Sequence, residues 1–257
     1  LLQAGAAPNV PNHNRSLPLY FAREDWVIAA LLAGGANPNA PTDRPPLIEH
    51  AAHPERVRRL LAAGARADVR DVHGTSPLDV AAGAGQLASV QPLVAAIKAG
   101  KGAAAARAVM GGSALRSAAA GGNPQVVALL LAQGLPPDVD MLHLAVSDGH
   151  LAAARQLQQA LGLPSVPNPL PGGLARAQVY ALILQQHPAQ ALAAYRAFEA
   201  KACGRKTPLM DAVDAGNEEA VRALLTLGVD VNYQPPAPLR SYQVPMPHTS
   251  SGLPRTV

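Results

Sequence analysis

Apolar residues in this chain fall into short groups that recur about every 30 residues. Most groups end in two leucines, followed within five residues by a glycine. The leucine pairs stand at 1–2, 31–32, 60–61, 129–130 and 224–225, and the glycines at 5, 35, 64, 134 and 228. A repeat of this length indicates a solenoid in which one small unit is stacked many times, and it takes precedence over any single short motif.

Each unit is predicted to be a pair of helices. Ser76 and Thr207 stand before a Pro-Leu pair, and such hydroxyls accept a backbone N–H at a helix start, where proline also fits. Glycines that can end this first helix in the left-handed conformation follow at 85, 122, 149 and 216. The leucine pair then belongs to a second helix and lies on its buried side.

Three stretches match a known pattern. They are Asp71-Val72-His73-Gly74-Thr75-Ser76-Pro77-Leu78, Leu142-His143-Leu144-Ala145, and Gly228-Val229-Asp230-Val231-Asn232. In these residues the chain resembles the ankyrin repeat family over about residues 1–233. The resemblance implies an all-α solenoid of antiparallel helix pairs joined by short finger loops, with about seven repeats and a truncated first one.

The repeat spacing is uneven. It predicts a shortened helix region between Ala22 and Gly35 and an insertion between Ala81 and Gly100, with a turn at Gly100. The proline-rich stretch 163–173 is predicted to be a loop. Helices expected around 174–186 and 188–202 then form a degenerate repeat.

The two ends differ from the rest. Leu1 falls within a second helix whose first helix is missing, so we expect a fragment or a processed chain. Residues 234–257 contain several prolines and serines and no acid, which predicts a flexible tail. The tail string 235–240 fits a Pro-x-x-Pro-x-Arg ligand of a polyproline-binding groove, although a plain linker is the favoured interpretation.

Composition narrows the class of protein. No apolar run approaches the 18 residues of a membrane span. Cys203 is the single cysteine, which rules out an internal disulfide and favours the cytoplasm, and the many alanines hint at a bacterial source. The net charge of +4 comes from Lys98, Lys101, Arg107 and Arg116, because residues 81–137 contain no acid. A solvated face is the favoured interpretation of that stretch.

Sites for chemistry are not indicated. The chain has no Gly-x-Ser-x-Gly, His-Glu-x-x-His or Cys-x-x-Cys motif. His50 and His53 could share a helix face, but a metal site needs a third ligand, so we expect surface and helix-end histidines. Cys203 has basic neighbours but no histidine near it in sequence, and is interpreted as an ordinary thiol. We therefore predict no enzyme activity, no cofactor and no metal.

The resemblance implies a concave binding face made of finger loops and exposed positions of the first helices. Carried over by motif position, the predicted partner-binding residues are Arg44, Val72, His73, Thr75, Ser147, Asp148, Lys206, Asp214 and Ala215. The predicted function is a monomeric, non-catalytic scaffold that binds a protein. One alternative is a nucleic-acid or anionic-surface binder that uses residues 81–137, and another is the binding part of a larger enzyme.

Overall fold

The computed structural model describes residues 6–13, 16–164, 175–201 and 206–233, which contain α-helices and no strand. The helices are α1 (Pro18–Phe21), α2 (Asp25–Ala33), α3 (Pro46–Glu49), α4 (Pro54–Ala62), α5 (Pro77–Gly83), α6 (Leu87–Gly121), α7 (Pro124–Ala132), α8 (Val139–Ser147), α9 (Leu151–Ala160), α10 (Ala175–Leu184), α11 (Pro188–Lys201), α12 (Pro208–Asp214) and α13 (Glu218–Thr226). Within the described ranges, every helix is too short or insufficiently apolar to cross a bilayer.

The first helices begin where the sequence predicts. Ser76 and Asp79 form a reciprocal cap at the start of α5, in which the Asp79 N–H donates to Ser76 Oγ and the Ser76 N–H donates to Asp79 Oδ2, at 3.2 and 2.8 Å. At the start of α12, Thr207 Oγ1 accepts from the Met210 N–H. Proline occupies the first turn of both helices. The early repeats are short in their first helices, because α1 and α3 have four residues each. Within the stretch 22–35, for which shortening was predicted, α2 has nine residues, as α4, α7 and α13 do.

The predicted glycine turns are largely confirmed. Positive φ values of 63 to 73° occur at Gly85, Gly122, Gly149 and Gly216, which end first helices, and of 67 to 85° at Gly35, Gly64, Gly134, Gly162 and Gly228, which follow second helices. Gly122 has a second reason to be glycine. The ring of His150 in the next helix pair fills the space that a Cβ would need, so neighbouring pairs approach closely here.

The turn predicted at Gly100 is wrong. Gly100 lies inside α6, and this helix also includes residues that were expected to form a finger. The glycine in the left-handed conformation is instead Gly111, with φ of 63°. The chain still reverses direction, because the end of α6 packs beside α5, where Ser117 lies against Gly83. Residues 103–106 are four alanines, whose high helix propensity accounts for a helix in place of a finger.

The two helices expected in the degenerate region are present as α10 and α11. Their observed bounds, Ala175–Leu184 and Pro188–Lys201, fall within one or two residues of the predicted ones. Most of the predicted proline-rich loop, Cys203 and the predicted tail at 234–257 lie outside the described residues.

The core runs along the array between the helices. One leucine of a pair is fully buried in α4, α7 and α13, at Leu60, Leu130 and Leu224, while Leu129 is only partly buried against the core. The buried side of the second helix is therefore centred on one leucine of each of these pairs.

Asparagines tie successive fingers together. Asn9 donates from Nδ2 to the Gly35 carbonyl at 2.8 Å and accepts from the Asn37 N–H at 2.7 Å. Asn39, thirty residues after Asn9, donates to the Gly64 carbonyl at 2.7 Å. It also accepts, at 2.8 Å, the N–H of the residue two positions after Gly64. The repeat in sequence is thus also a repeat in hydrogen bonding.

Candidate functional site

Four of the predicted binding residues lie on two adjacent fingers. The Asp71 carboxylate holds the second finger by accepting the N–H groups of His73 and Thr75 at 2.9 and 2.8 Å. Although partial burial raises it, the pKa of Asp71 lies below its ordinary value because these N–H groups stabilise the charged form. The Val72 N–H donates to the Asp43 carbonyl of the preceding finger at 3.3 Å, and Val72 is 70% exposed.

Arg44 lies on the first of these two fingers, directly after Asp43. Its guanidinium is 3.5 Å from the Glu49 carboxylate, and about half of the Arg44 side chain is exposed. Exposed pairs of this kind are weak, so a partner carboxylate could compete for Arg44.

Three more predicted residues meet in one groove. Ser147 and Asp148, at the end of α8, and Ala215, just after α12, line a cavity of about 240 Å³. The other lining residues are His150, Tyr180, Asp211 and Ala212. The groove carries two carboxylates, and its lining includes no lysine or arginine.

A direct contact between non-consecutive helix pairs builds this groove. Asn217 donates from Nδ2 to the Asp148 carbonyl at 2.9 Å, and the same amide nitrogen lies 3.3 Å from Nδ1 of His150. On this edge the turn between α12 and α13 therefore lies against the turn between α8 and α9. A strictly sequential stack would instead place the α10–α11 pair between them.

Tyr180, from α10, closes one wall of the groove. Its hydroxyl donates to the Pro208 carbonyl at 3.4 Å, and its ring lies against Gly149. Sequence reasoning missed Tyr180 because its repeat is degenerate and offers no register. It also missed Asp211, which lies in α12, three residues before the predicted Asp214. Its position in the first helix of the last repeat is the signal that could have indicated it.

The last two predicted residues pair with each other. Lys206 and Asp214 form an ion pair on the exposed surface, and the hydrogen bond that Lys206 donates to Asp214 raises the pKa of Lys206. Both belong to the last repeat, and Asp214 directly precedes Ala215 at the groove.

The basic stretch 81–137 is partly neutralised. Lys101 lies 3.0 Å from the Asp68 carboxylate, and Arg116 lies 3.1 Å from that of Asp138. Hydrogen bonds from Arg66 and then from Lys101, opposed by partial burial, lower the pKa of Asp68 to about 2. Both acids lie outside the stretch, so its lack of acids in sequence overstates the positive charge at its surface.

One of the two histidines lies on the surface as predicted, because His53 is exposed at the start of α4. The other, His50 at the end of α3, is instead buried, with Nε2 3.0 Å from the Leu19 carbonyl of the preceding helix pair. Burial, opposed by that hydrogen bond, lowers the pKa of His50. Among the described residues, no cluster of three or more His, Cys, Asp or Glu side chains is placed to hold a metal ion.

Comparison with known proteins adds one finding. The family model described as Ankyrin repeat matches residues 205–234, which cover α12, α13 and the finger after them. That match, together with the all-helical fold of paired helices, supports the resemblance read from the sequence. Ankyrin repeats are in general protein–protein interaction modules and are typically non-catalytic. No curated protein matches the chain.

Proposed function

We propose that this chain is a non-catalytic scaffold that binds a protein partner through the face formed by its fingers and first-helix ends. The observation that carries the proposal is the groove in which Ser147, Asp148 and Ala215 meet, because these residues come from different helix pairs. Packing between the helices holds these side chains in place before a partner binds, so the scaffold loses little conformational entropy on binding. The scaffold acts as a monomer and needs neither cofactor nor metal.

The lining of the groove indicates the chemistry of the partner. Asp148 and Asp211 supply negative charge, and Tyr180 supplies a broad wall. This combination suits an arginine or lysine side chain of the partner, because charge-assisted hydrogen bonds to carboxylates are strong and directional. The exposed Val72 adds an apolar contact on the fingers.

Nucleic-acid binding is disfavoured in this proposal. Two of the four cations in residues 81–137 already pair with carboxylates, whereas nucleic-acid surfaces carry free cations that neutralise phosphates. The binding face would serve equally well if the chain were the binding part of a larger enzyme.

Affinity capture with matched variants tests the proposal. The full chain, its Asp148→Asn variant and its Asp140→Asn variant would each serve as bait, with and without nuclease. Asp140 is a matched control because it is an exposed aspartate of α8, the helix that Asp148 follows, and does not line the groove. We expect a nuclease-resistant partner that is retained by Asp140→Asn and weakened by Asp148→Asn. Equal retention by both variants would refute the groove, and loss on nuclease treatment would favour the nucleic-acid alternative.

A further inference from the structure

A second candidate site lies where the repeat pattern is interrupted by the long helix α6. A groove of about 350 Å³ runs between this helix and the finger that follows α4. Its lining includes two cations and one carboxylate, whereas the lining of the groove at Asp148 includes two carboxylates and no lysine or arginine. The lining residues are Ala65, Arg66, Ala67 and Asp68 of the finger and Ala96, Ile97, Gly100 and Lys101 of α6.

The charged residues of this groove replace a contact between fingers. Asn9 and Asn39 each tie their finger to the next one, by hydrogen bonds to a carbonyl and an N–H there. Asp68 stands at the corresponding position, four residues after the glycine that follows the second helix. Because α6 continues through the residues expected to form the next finger, Asp68 instead pairs with the side chains of Arg66 and Lys101.

Asp68 holds these two cations together and is itself sheltered from solvent. Arg66 donates from Nε to Asp68 Oδ1 at 3.1 Å and from the same guanidinium to Oδ2 at 3.3 Å, and Lys101 Nζ lies 3.0 Å from Oδ2. The side chain of Asp68 is 16% exposed, compared with 66% for Arg66 and 42% for Lys101. Two cations and one carboxylate leave a net charge of +1, and the exposed part of the cluster is its positive part.

Both cations keep hydrogen-bond donors for a second anion. A guanidinium carries five N–H donors and an ammonium three, and the contacts with Asp68 use two of the first set and one of the second. The buried Ala65, Ala67 and Ile97 add apolar surface against which methylene groups can pack. A net charge of +1 matches one carboxylate, whereas a phosphate group carries nearly two negative charges and a nucleic-acid backbone needs many free cations.

We propose that the groove between this finger and α6 binds a glutamate or aspartate side chain from an acidic segment of a protein partner. The carboxylate of the partner accepts hydrogen bonds from the remaining donors of Arg66 and Lys101. Bonds between charged groups of this kind are short and strong. The site is independent of the groove proposed at Asp148, which has the opposite charge and shares none of these lining residues.

A defined acidic peptide tests the site directly. The probe is acetyl-Ala-Glu-Ala-Glu-Ala-Glu-amide, its control carries glutamine in place of each glutamate, and two-dimensional NMR of the full chain follows the backbone amides. We expect saturable shifts centred on residues 65–68 and 96–101, and several-fold weaker binding of the glutamine peptide. Equal affinities for the two peptides, or shifts spread evenly over the array, would overturn the proposal. Displacement of the peptide by a single-stranded DNA oligonucleotide that shifts the same amides would assign the site to a phosphate backbone instead.

Two matched pairs of variants separate this site from general charge attraction. Lys101→Gln and Lys98→Gln each remove one cation from α6, but Lys98 is exposed and does not line the groove, so only Lys101→Gln should weaken peptide binding several-fold. Asp68→Asn and Asp140→Asn each remove one carboxylate, and only Asp68→Asn should strengthen binding, because the peptide carboxylate then has both cations to itself. Asparagine already stands at this position in the two preceding fingers, so the finger should tolerate Asp68→Asn. Equal effects within either pair would refute the assignment.

Discussion

Truncation of Leu130 should destabilise the array far more than truncation of its neighbour Leu129. Leu130 is fully buried in α7, while Leu129 is only partly buried against the core. Leu130→Ala removes three carbons from the core, a transfer cost of about 2–3 kcal/mol. The cavity left behind brings the expected loss of unfolding free energy to about 3–4 kcal/mol. For Leu129→Ala, partial exposure reduces the expected loss to about 1–2 kcal/mol.

Urea unfolding followed by far-ultraviolet circular dichroism measures both losses. The two variants form a matched pair, because they make the same chemical change on adjacent residues of one helix. Helix propensity and the unfolded state are therefore affected alike, and the difference reports burial alone. Equal losses, or a larger loss for Leu129→Ala, would refute the register of α7 in the core.

Two further predictions concern contacts between helix pairs. Gly122→Ala and Gly162→Ala both place a side chain in the left-handed region, at about 1–2 kcal/mol each, but only at Gly122 does the new Cβ meet the ring of His150, whereas Gly162 faces open space. We expect urea unfolding to show a further loss of about 1–3 kcal/mol for Gly122→Ala, and similar losses in both variants would argue against this close stacking. The buried His50 has a pKa below its ordinary value of 6.5, so the unfolded chain binds its proton first and stability should fall as the pH drops from 6.5 toward the folded pKa. His50→Gln can keep a donor for the Leu19 carbonyl, and urea midpoints measured across this pH range should decline less in the variant. An equally steep decline in both proteins would contradict the assignment.

Much of the fold follows from local chemistry that the sequence displays directly. A hydroxyl before Pro-Leu predicted the starts of α5 and α12, because cap and proline act within one turn. Glycines at the ends of helices could be placed because only their left-handed conformation is needed there. The pair α10–α11 was also predictable, because a proline-rich stretch that disfavours helix precedes it and residues that favour helix make up its two segments.

The failures arise where tertiary packing decides. The glycine at 100 was expected to form a turn after an insertion, yet four alanines downstream extend the helix through it. Burial of His50 depends on how closely α3 approaches α1, which periodicity does not reveal. The candidate groove joins helix pairs that are not consecutive, through Asn217 and Asp148. A repeat pattern predicts contacts between neighbours in sequence, so it could not place Tyr180 in that groove.

Photo-crosslinking from two positions tests the central claim most directly. A photoreactive amino acid at Ala215 would lie on the groove, and one at Gln159 would lie on an exposed part of the second helix α9. Each variant would be irradiated in its native cellular extract after nuclease treatment. Our account predicts a discrete protein adduct from position 215 that the Asp148→Asn substitution diminishes, and none from position 159. The same adduct from position 159 alone would contradict binding through the fingers and first-helix ends.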